Sequence, residues 1–161
     1  MVKQPPDSEK SFTEPNYLAG NRRGFLIPVL VVEDNEPFRR FVRVTLSTKP
    51  ELKIISEVAD GLEAVQKTQE LQPALIVLDI GLPGLNGLEA ARRIRKLSPQ
   101  STILFLSQES SPDIVQEALS LGALGYVMKA HAAVDLLIAV EAVLRNEQFV
   151  SSGLKAVDTQ G

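Results

Sequence analysis

Residues 74–84 read ALIVLDIGLPG, and the run from Ala74 to Leu78 is apolar at every position rather than at every second one. A strand of that kind is covered on both faces, which restricts it to the interior of a parallel sheet. It ends on a carboxylate, Asp79, with Pro83-Gly84 just beyond. The carboxyl ends of parallel strands form the rim where such folds keep their sites, so the acid stands where chemistry is expected.

The rest of the chain alternates around this segment. Phe25 to Val32 (FLIPVLVV) is a first aliphatic strand that stops at Glu33-Asp34-Asn35. Pro37, Phe38, Phe41, Val42 and Leu46 then fall at helical spacing, with Arg39, Arg40 and Arg43 on the opposite face, read as solvated. Leu52 to Val58 is a second strand, and Asp60 with Glu63 has the spacing of a capping box for a helix through Leu71. Asn86 with Glu89 repeats that signature before the stripe Leu88, Ala91, Ile94 and Leu97, with Arg92, Arg93, Arg95 and Lys96 facing water. Ser101 to Leu106 is a fourth strand, Ser111-Pro112 opens a helix that Gly122 closes, Leu124 to Met128 is a fifth strand, and a last helix runs from Ala132 to about Asn146.

Five strands alternating with five helices predict a doubly wound α/β fold, a parallel sheet with helices on both faces and right-handed crossovers; in the expected order, 2-1-3-4-5, the switch point lies between strands one and three. The 161 residues suffice for one such domain, expected over residues 25–147, between a polar N-terminal tail of residues 1–24 and a C-terminal tail of residues 148–161. A net charge of −3 weighs against a dedicated nucleic-acid binder. The absence of cysteine excludes disulfides and thiolate metal sites and suits the cytoplasm. Residues 1–24 lack the apolar core of a signal peptide, and the stretch from Ala132 to Leu144 is too short and too charged to span a bilayer.

Parallel strands share a direction, so Glu33-Asp34, Asp79, Ser107 and Lys129, at the ends of strands one, three, four and five, gather on one rim. Two like charges about 5 Å apart repel by roughly 3 kcal/mol at an effective dielectric of about 20, so three carboxylates together call for a cation. Oxygen-only donors favour magnesium, or manganese, over zinc. Ser107 and Lys129 could then hold the oxygens of a phosphoryl group, with Asp79 as a candidate nucleophile forming an acyl phosphate. Each residue alone has a plainer reading: Glu33-Asp34-Asn35 as a helix cap, Asp79 as a turn former, Ser107 as a loop hydroxyl, Lys129 as a solvated charge. Five polar residues at the matching ends of four strands outweigh these.

With these residues in place, the sequence resembles the receiver domains of two-component response regulators, the CheY-like fold, over about Phe25 to Asn146. VVEDN is similar to that family's acidic pair, LDIGLPGLNGLE to its phosphoacceptor segment, FLS to its hydroxyl strand and GYVMKA to its aromatic and lysine strand. The resemblance implies that a histidine kinase or phosphotransfer protein phosphorylates Asp79. It further implies that Asp34, Asp79 and the Gly81 carbonyl bind magnesium with Glu33 assisting through water, and that Ser107 and Lys129 hold the phosphoryl oxygens. Ser107 and Tyr126 become switch residues, Tyr126 matching the position whose ring turns inward in the active state. The readout surface becomes the fourth helix, fifth strand and fifth helix, used by a downstream protein or in a homodimer. On that last helix Leu136, Leu137, Ile138, Val140, Val143 and Leu144 span more than one stripe, which fits either a partner surface or a helix deeply covered by its own sheet.

Two residues depart from the family pattern. Gln108 follows the hydroxyl where a small residue is usual, and Ala130 follows Lys129 where many members carry a cis proline; a cis bond to alanine would cost about 3 kcal/mol, so a trans peptide is expected. His131 has no companion ligand and reads as solvent-side. GYVMKA and QFVSSGL are most similar to receivers of LuxR/NarL-type regulators, but no helix-turn-helix follows. The chain is therefore expected to be a stand-alone receiver or the receiver of a longer DNA-binding regulator, and Met1 with the long N-terminal segment fits a complete short protein. Expected chemistry is confined to self-phosphorylation and self-dephosphorylation, with no outside substrate turned over. Three rivals remain: a haloacid dehalogenase-type phosphatase, which normally needs a second acid where Gly81 stands; a flavodoxin-like nucleotide binder, whose phosphate Glu33-Asp34-Asn35-Glu36 would repel; and a receiver that no longer phosphorylates and serves as an interaction module.

Overall fold

A computed structural model describes residues 25–154 of the chain; the expected N-terminal tail of residues 1–24 and the end of the C-terminal one, residues 155–161, lie outside the described residues. In chain order the elements are β1 Ile27–Val32, α1 Glu36–Leu46, β2 Leu52–Val58, α2 Gly61–Leu71, β3 Leu75–Leu78, α3 Gly87–Leu97, β4 Thr102–Ser107, α4 Pro112–Ser120, β5 Gly125–Met128, α5 Ala132–Leu144 and β6 Phe149–Val150. A 3₁₀ turn, Lys129–His131, joins β5 to α5. The sheet order is β2-β1-β3-β4-β5-β6, every pair parallel.

The continuous apolar runs now have a cause. In β1, Leu30 and Val32 point to one face while Ile27, Val29 and Val31 point to the other; in β3, Ile76 and Leu78 oppose Leu75 and Val77. One set packs with Ala64, Ala91, Ile94, Val115 and Ala118 of α2, α3 and α4, the other with Val42 and Leu46 of α1 and Leu136, Ala139, Val140 and Val143 of α5. Each fully buried Leu, Ile or Val stabilises the fold by about 1.5–3 kcal/mol relative to exposure, so both faces are bound to be covered. Helices α1 and α5 lie on one face and α2 to α4 on the other, and the connections that leave β1 (to β2) and β3 (to β4) run to opposite sides, opening the crevice between these two strands. The cap residues act as expected, Asp60 accepting from the Glu63 N–H at 2.8 Å and Asn86 from the Glu89 N–H at 3.0 Å, but the return half of the box is not made: Glu63 accepts from the Ala59 N–H and Glu89 pairs with Arg92 and Arg93.

Several expectations are corrected. β1 begins at Ile27 because Phe25 and Leu26 are exposed, and Pro28, which has no N–H to give, sits where the β1–β2 register slips between Val29 and Leu30. Five strands are one too few, and the expected tail boundary at residue 148 falls inside the fold: Phe149 and Val150 pair with Gly125 and Tyr126 of β5. The helix expected to reach Asn146 ends at Leu144, and Asn146, at φ +66°, takes the left-handed conformation that reverses the chain and delivers β6 to β5. On α1, Arg39 and Arg43 are not simply solvated, since both pair with Glu57 of β2, Arg43 through two hydrogen bonds of 2.8 and 3.0 Å. On α5 most of the apolar residues are covered, and of the six singled out only Ile138 is exposed.

Candidate functional site

Five candidate residues converge as their strand ends require. β1 delivers Glu33 and Asp34, β3 delivers Asp79, β4 ends on Ser107 and β5 runs into Lys129, and all five line one cleft of about 270 Å³ together with Asn35, Gly81, Gln108 and Glu109. Hydrogen bonds from the Glu33 N–H to the Val58 carbonyl, 3.0 Å, and from the Asp79 N–H to the Val32 carbonyl, 3.1 Å, continue the parallel ladder past the formal strand ends and lock both acids to the sheet. Glu33 and Asp79 are buried and Asp34 is exposed. Gly87 allows the closeness of the β3–α3 connection, for a Cβ there would lie 2.0 Å from the Asp79 carbonyl oxygen.

The charges are mutually arranged. Lys129 Nζ lies 3.2 Å from Asp79 Oδ2 and contacts both Glu33 carboxylate oxygens, at 2.9 Å (Oε1) and 3.1 Å (Oε2). Only the Oε2 contact has hydrogen-bond geometry, so Oε1 is a buried carboxylate oxygen without a hydrogen-bond donor. Burial pushes the Glu33 carboxyl above the usual glutamate range, against the pull of the Lys129 and Asn35 hydrogen bonds. For Lys129, burial alone would lower the ammonium, but the hydrogen bond to Glu33 and the charge of Asp79 raise it on balance. The ammonium therefore stays protonated at neutral pH, holding two carboxylates that would otherwise repel.

Glu33, Asp34 and Asp79 each offer a carboxylate oxygen within 4.8 Å of the others, which fits one metal ion. The donor set is all oxygen, and Glu33 Oε1 receives no hydrogen bond beyond its ionic contact with Lys129, so the residues suit a hard divalent cation. Gly81 lines the same cleft, its N–H donating to Asp79 Oδ1 at 3.3 Å. Gln108 is exposed and is one of the residues that line the cleft. No cis peptide occurs among the described residues, so the Lys129–Ala130 bond is trans as expected, and His131 is exposed.

Tyr126 is turned inward and fully buried, its ring 6.2 Å from that of Phe105, and burial raises its phenol above the ordinary tyrosine range. Its hydroxyl donates to the Glu109 carbonyl at 2.7 Å, while the Glu109 N–H donates to Ser107 Oγ at 2.9 Å. One residue after β4, Glu109, thus connects the two candidate switch residues through its main-chain N–H and carbonyl. Sequence reasoning missed Glu109, and it missed two residues of α1: Phe38, whose ring centroid lies 4.8 Å from Lys129 Nζ, and Arg39, which donates to the Glu33 carbonyl at 2.8 Å. The helical spacing of α1 marked Phe38 only as core, and nothing local in the sequence tells that its ring edges the cleft.

A profile of the response regulator receiver domain matches residues 29–141. Over 112 residues the chain is 38% identical to a protein-glutamate methylesterase/protein-glutamine glutaminase of Thermotoga maritima, covering 69% of this chain and 33% of that protein. It is 31% identical over 129 residues to the nitrate/nitrite response regulator protein NarL of Escherichia coli, covering 80% of this chain and 60% of NarL. Among solved structures it is similar to a LuxR-family two-component response regulator from Aurantimonas, with TM-score 0.77 and 29% identity over 81% of this chain and 94% of that one. It is also similar to the response regulator domain of Thermotoga maritima CheB, with TM-score 0.68 and 33% identity over 74% of this chain and 96% of that one. The chain spans about a third to three fifths of the length of the curated relatives it matches.

Proposed function

The chain belongs to the response regulator receiver domain family, and from that premise we propose that it is a phosphoacceptor switch of two-component signalling, with Asp79 taking a phosphoryl group from a histidine kinase or phosphotransfer protein. The observation that carries this reading is Lys129 Nζ held between Glu33 and Asp79, in a cleft that Asp34 and Ser107 also line. An Asp79 oxygen attacks the phosphorus of a phosphohistidine; the O–P bond forms as the N–P bond breaks, and the imidazole leaves with the electron pair. Little covalent help is needed, so positioning and charge neutralisation carry the step. Lys129 follows the charge from carboxylate to phosphoryl oxygen. Ser107 Oγ accepts from the Glu109 N–H and lies beside the Tyr126 hydroxyl; on phosphorylation its O–H turns to donate to a second phosphoryl oxygen.

Glu33, Asp34, Asp79 and the Gly81 carbonyl would hold Mg²⁺, with Mn²⁺ as a substitute, and the cation would neutralise charge on the phosphoryl group. Hydrolysis of the acyl phosphate resets the switch, and no outside substrate is turned over. Tyr126, already inward, and Ser107 convert occupancy of Asp79 into a choice of packing around β4 and α4. The output is read on the α4, β5 and α5 face by a downstream protein or a second copy, without direct contact of this chain with nucleic acid. Among the described residues no helix is long and apolar enough to cross a membrane, and the cytoplasm is the proposed place of action. Asp79 lines an open cleft together with the exposed Gln108, which favours a working acceptor over an interaction module independent of phosphorylation.

Intact mass after incubation with Mg²⁺ and a small acyl-phosphate donor tests the proposal. Wild type gains one phosphoryl group, Asp79→Asn gains none, and a chelator added before the donor prevents the gain. No adduct on wild type, under conditions that label another receiver and with a histidine kinase also failing, would overturn it.

A further inference from the structure

The segment after α5 does more than close the sheet. Ser151, directly after β6, is fully buried, and its hydroxyl accepts from the Met128 N–H at 3.1 Å while donating to Asp135 Oδ2 at 2.9 Å. Its own N–H donates to the Tyr126 carbonyl at 3.0 Å. One residue therefore holds the main chain of β5 on either side of Val127: at Tyr126, and at Met128, which immediately precedes Lys129. Through Asp135, in the first turn of α5, it ties that junction to the helix on the other side of the Lys129–His131 turn. Leu154, 6% exposed, fixes the segment from beyond by packing in the same core as Tyr126, Val150 and Met128.

An apolar residue would cover β5 as Val150 does, whereas a buried hydroxyl is costly unless its bonds are all made. Here they are made, to the two groups that fix where β5 ends and the lysine turn begins. We propose that Ser151 is a positioning residue for Lys129: by satisfying the Met128 N–H and anchoring it to Asp135, it sets the point from which the ammonium reaches Glu33 and Asp79. The role of Lys129 in phosphoryl transfer is taken from the reading of Asp79 as phosphoacceptor. The consequence is a built-in link between the cleft and the C-terminal segment, since whatever displaces Phe149–Leu154 also releases the lysine.

The test compares wild type, Ser151→Ala and the hydroxyl-retaining Ser151→Thr in the full chain, with two readouts. The first is the rate at which an amine-acetylating reagent modifies Lys129, mapped by peptide mass against Lys53 and Lys67. The second is the rate of Asp79 labelling across concentrations of a small acyl-phosphate donor. Ser151→Ala removes both the bond from the Met128 N–H and the bond to Asp135, and is expected to raise Lys129 reactivity by about fivefold or more, with Lys53 and Lys67 unchanged. The labelling rate at saturating donor falls by a similar factor without a change in the half-saturating concentration, and Ser151→Thr stays near wild type in both.

Unchanged Lys129 reactivity in a folded Ser151→Ala protein would overturn the proposal, and so would a Ser151→Thr protein as altered as the alanine variant, which would reduce the residue to packing. Should Ser151→Ala not fold, Asp135→Asn weakens the same anchor and takes its place under the same criteria. If wild type takes no phosphoryl label, the reading of Asp79 falls, while Lys129 reactivity alone still decides the role of Ser151.

Discussion

The hydroxyl of Tyr126 donates to the main-chain carbonyl of Glu109 at 2.7 Å, bridging β5 and the loop that follows Ser107. Because Glu109 is exposed, water can replace the phenol there. Tyr126→Phe should therefore cost only about 0.5–1.5 kcal/mol by urea unfolding. It should leave Asp79 labelling intact while weakening any phosphorylation-dependent change in exchange of the Glu109 loop. A loss of labelling would mean that the ring acts at the cleft itself rather than through the loop.

Lys129→Met removes the ammonium that contacts both Glu33 and Asp79. Leaving buried carboxylates uncompensated costs about 3–5 kcal/mol for a fully enclosed pair, and somewhat less here because the cleft is open to solvent. Added Mg²⁺ should recover more stability in this variant than in wild type, since the cation no longer competes with an ammonium for the same oxygens. Thermal melts with Mg²⁺ and with chelator check both statements; equal recovery in the two proteins would show that lysine and metal do not share the acids.

The pH dependence follows from Glu33. Burial raises its carboxyl in the folded protein, so the folded state holds that proton more tightly than the unfolded chain does. The resulting stabilisation is fully present below the unfolded value of about 4.3 and is lost as pH rises through the raised folded value. Metal binding runs the other way, requiring the anion. Mg²⁺ affinity measured calorimetrically should thus begin to fall, on acidification, above the ordinary glutamate range. In Glu33→Gln the affinity should be lower at neutral pH, and its decline should begin only at more acidic pH.

Gly87→Ala should be strongly destabilising, because the added Cβ would stand 2.0 Å from the Asp79 carbonyl oxygen and 2.7 Å from Ile80 Cα, both main-chain atoms. Overpacking of this kind costs about 1–3 kcal/mol, and backbone cannot yield as a flexible side chain can. Gly153→Ala meets nothing within 4 Å and should change stability by no more than about 0.5 kcal/mol. Chemical denaturation of the two variants makes the comparison.

The parallel sheet and the meeting of Glu33, Asp34, Asp79, Ser107 and Lys129 on one rim were readable in the sequence, because fully apolar strands that end on polar residues place those ends together; the order of the first five strands agrees with the expected one, and the sixth was not foreseen. What escaped reading depended on side chains crossing between elements. Arg39 and Arg43 have the periodicity of a solvated face, and only the adjacency of β1 and β2 brings Glu57 to them. Phe38 reads as core from helical spacing, although its ring also touches the Lys129 ammonium. β6 escaped because two residues carry no periodicity at all, and its placement depends on the reversal at Asn146.

A parallel strand left at the border of a sheet presents a row of unpaired amide and carbonyl groups to any other chain that can lie along it, the usual start of edge-to-edge aggregation. Without its last strand this sheet would end on β5. Phe149 and Val150 pair with Gly125 and Tyr126, Ser151 caps Met128, and the new border is only two residues long. Such a border is too short to template a neighbour. A chain shortened before Phe149 would thus be expected to lose colloidal stability at high concentration, even where its fold survived.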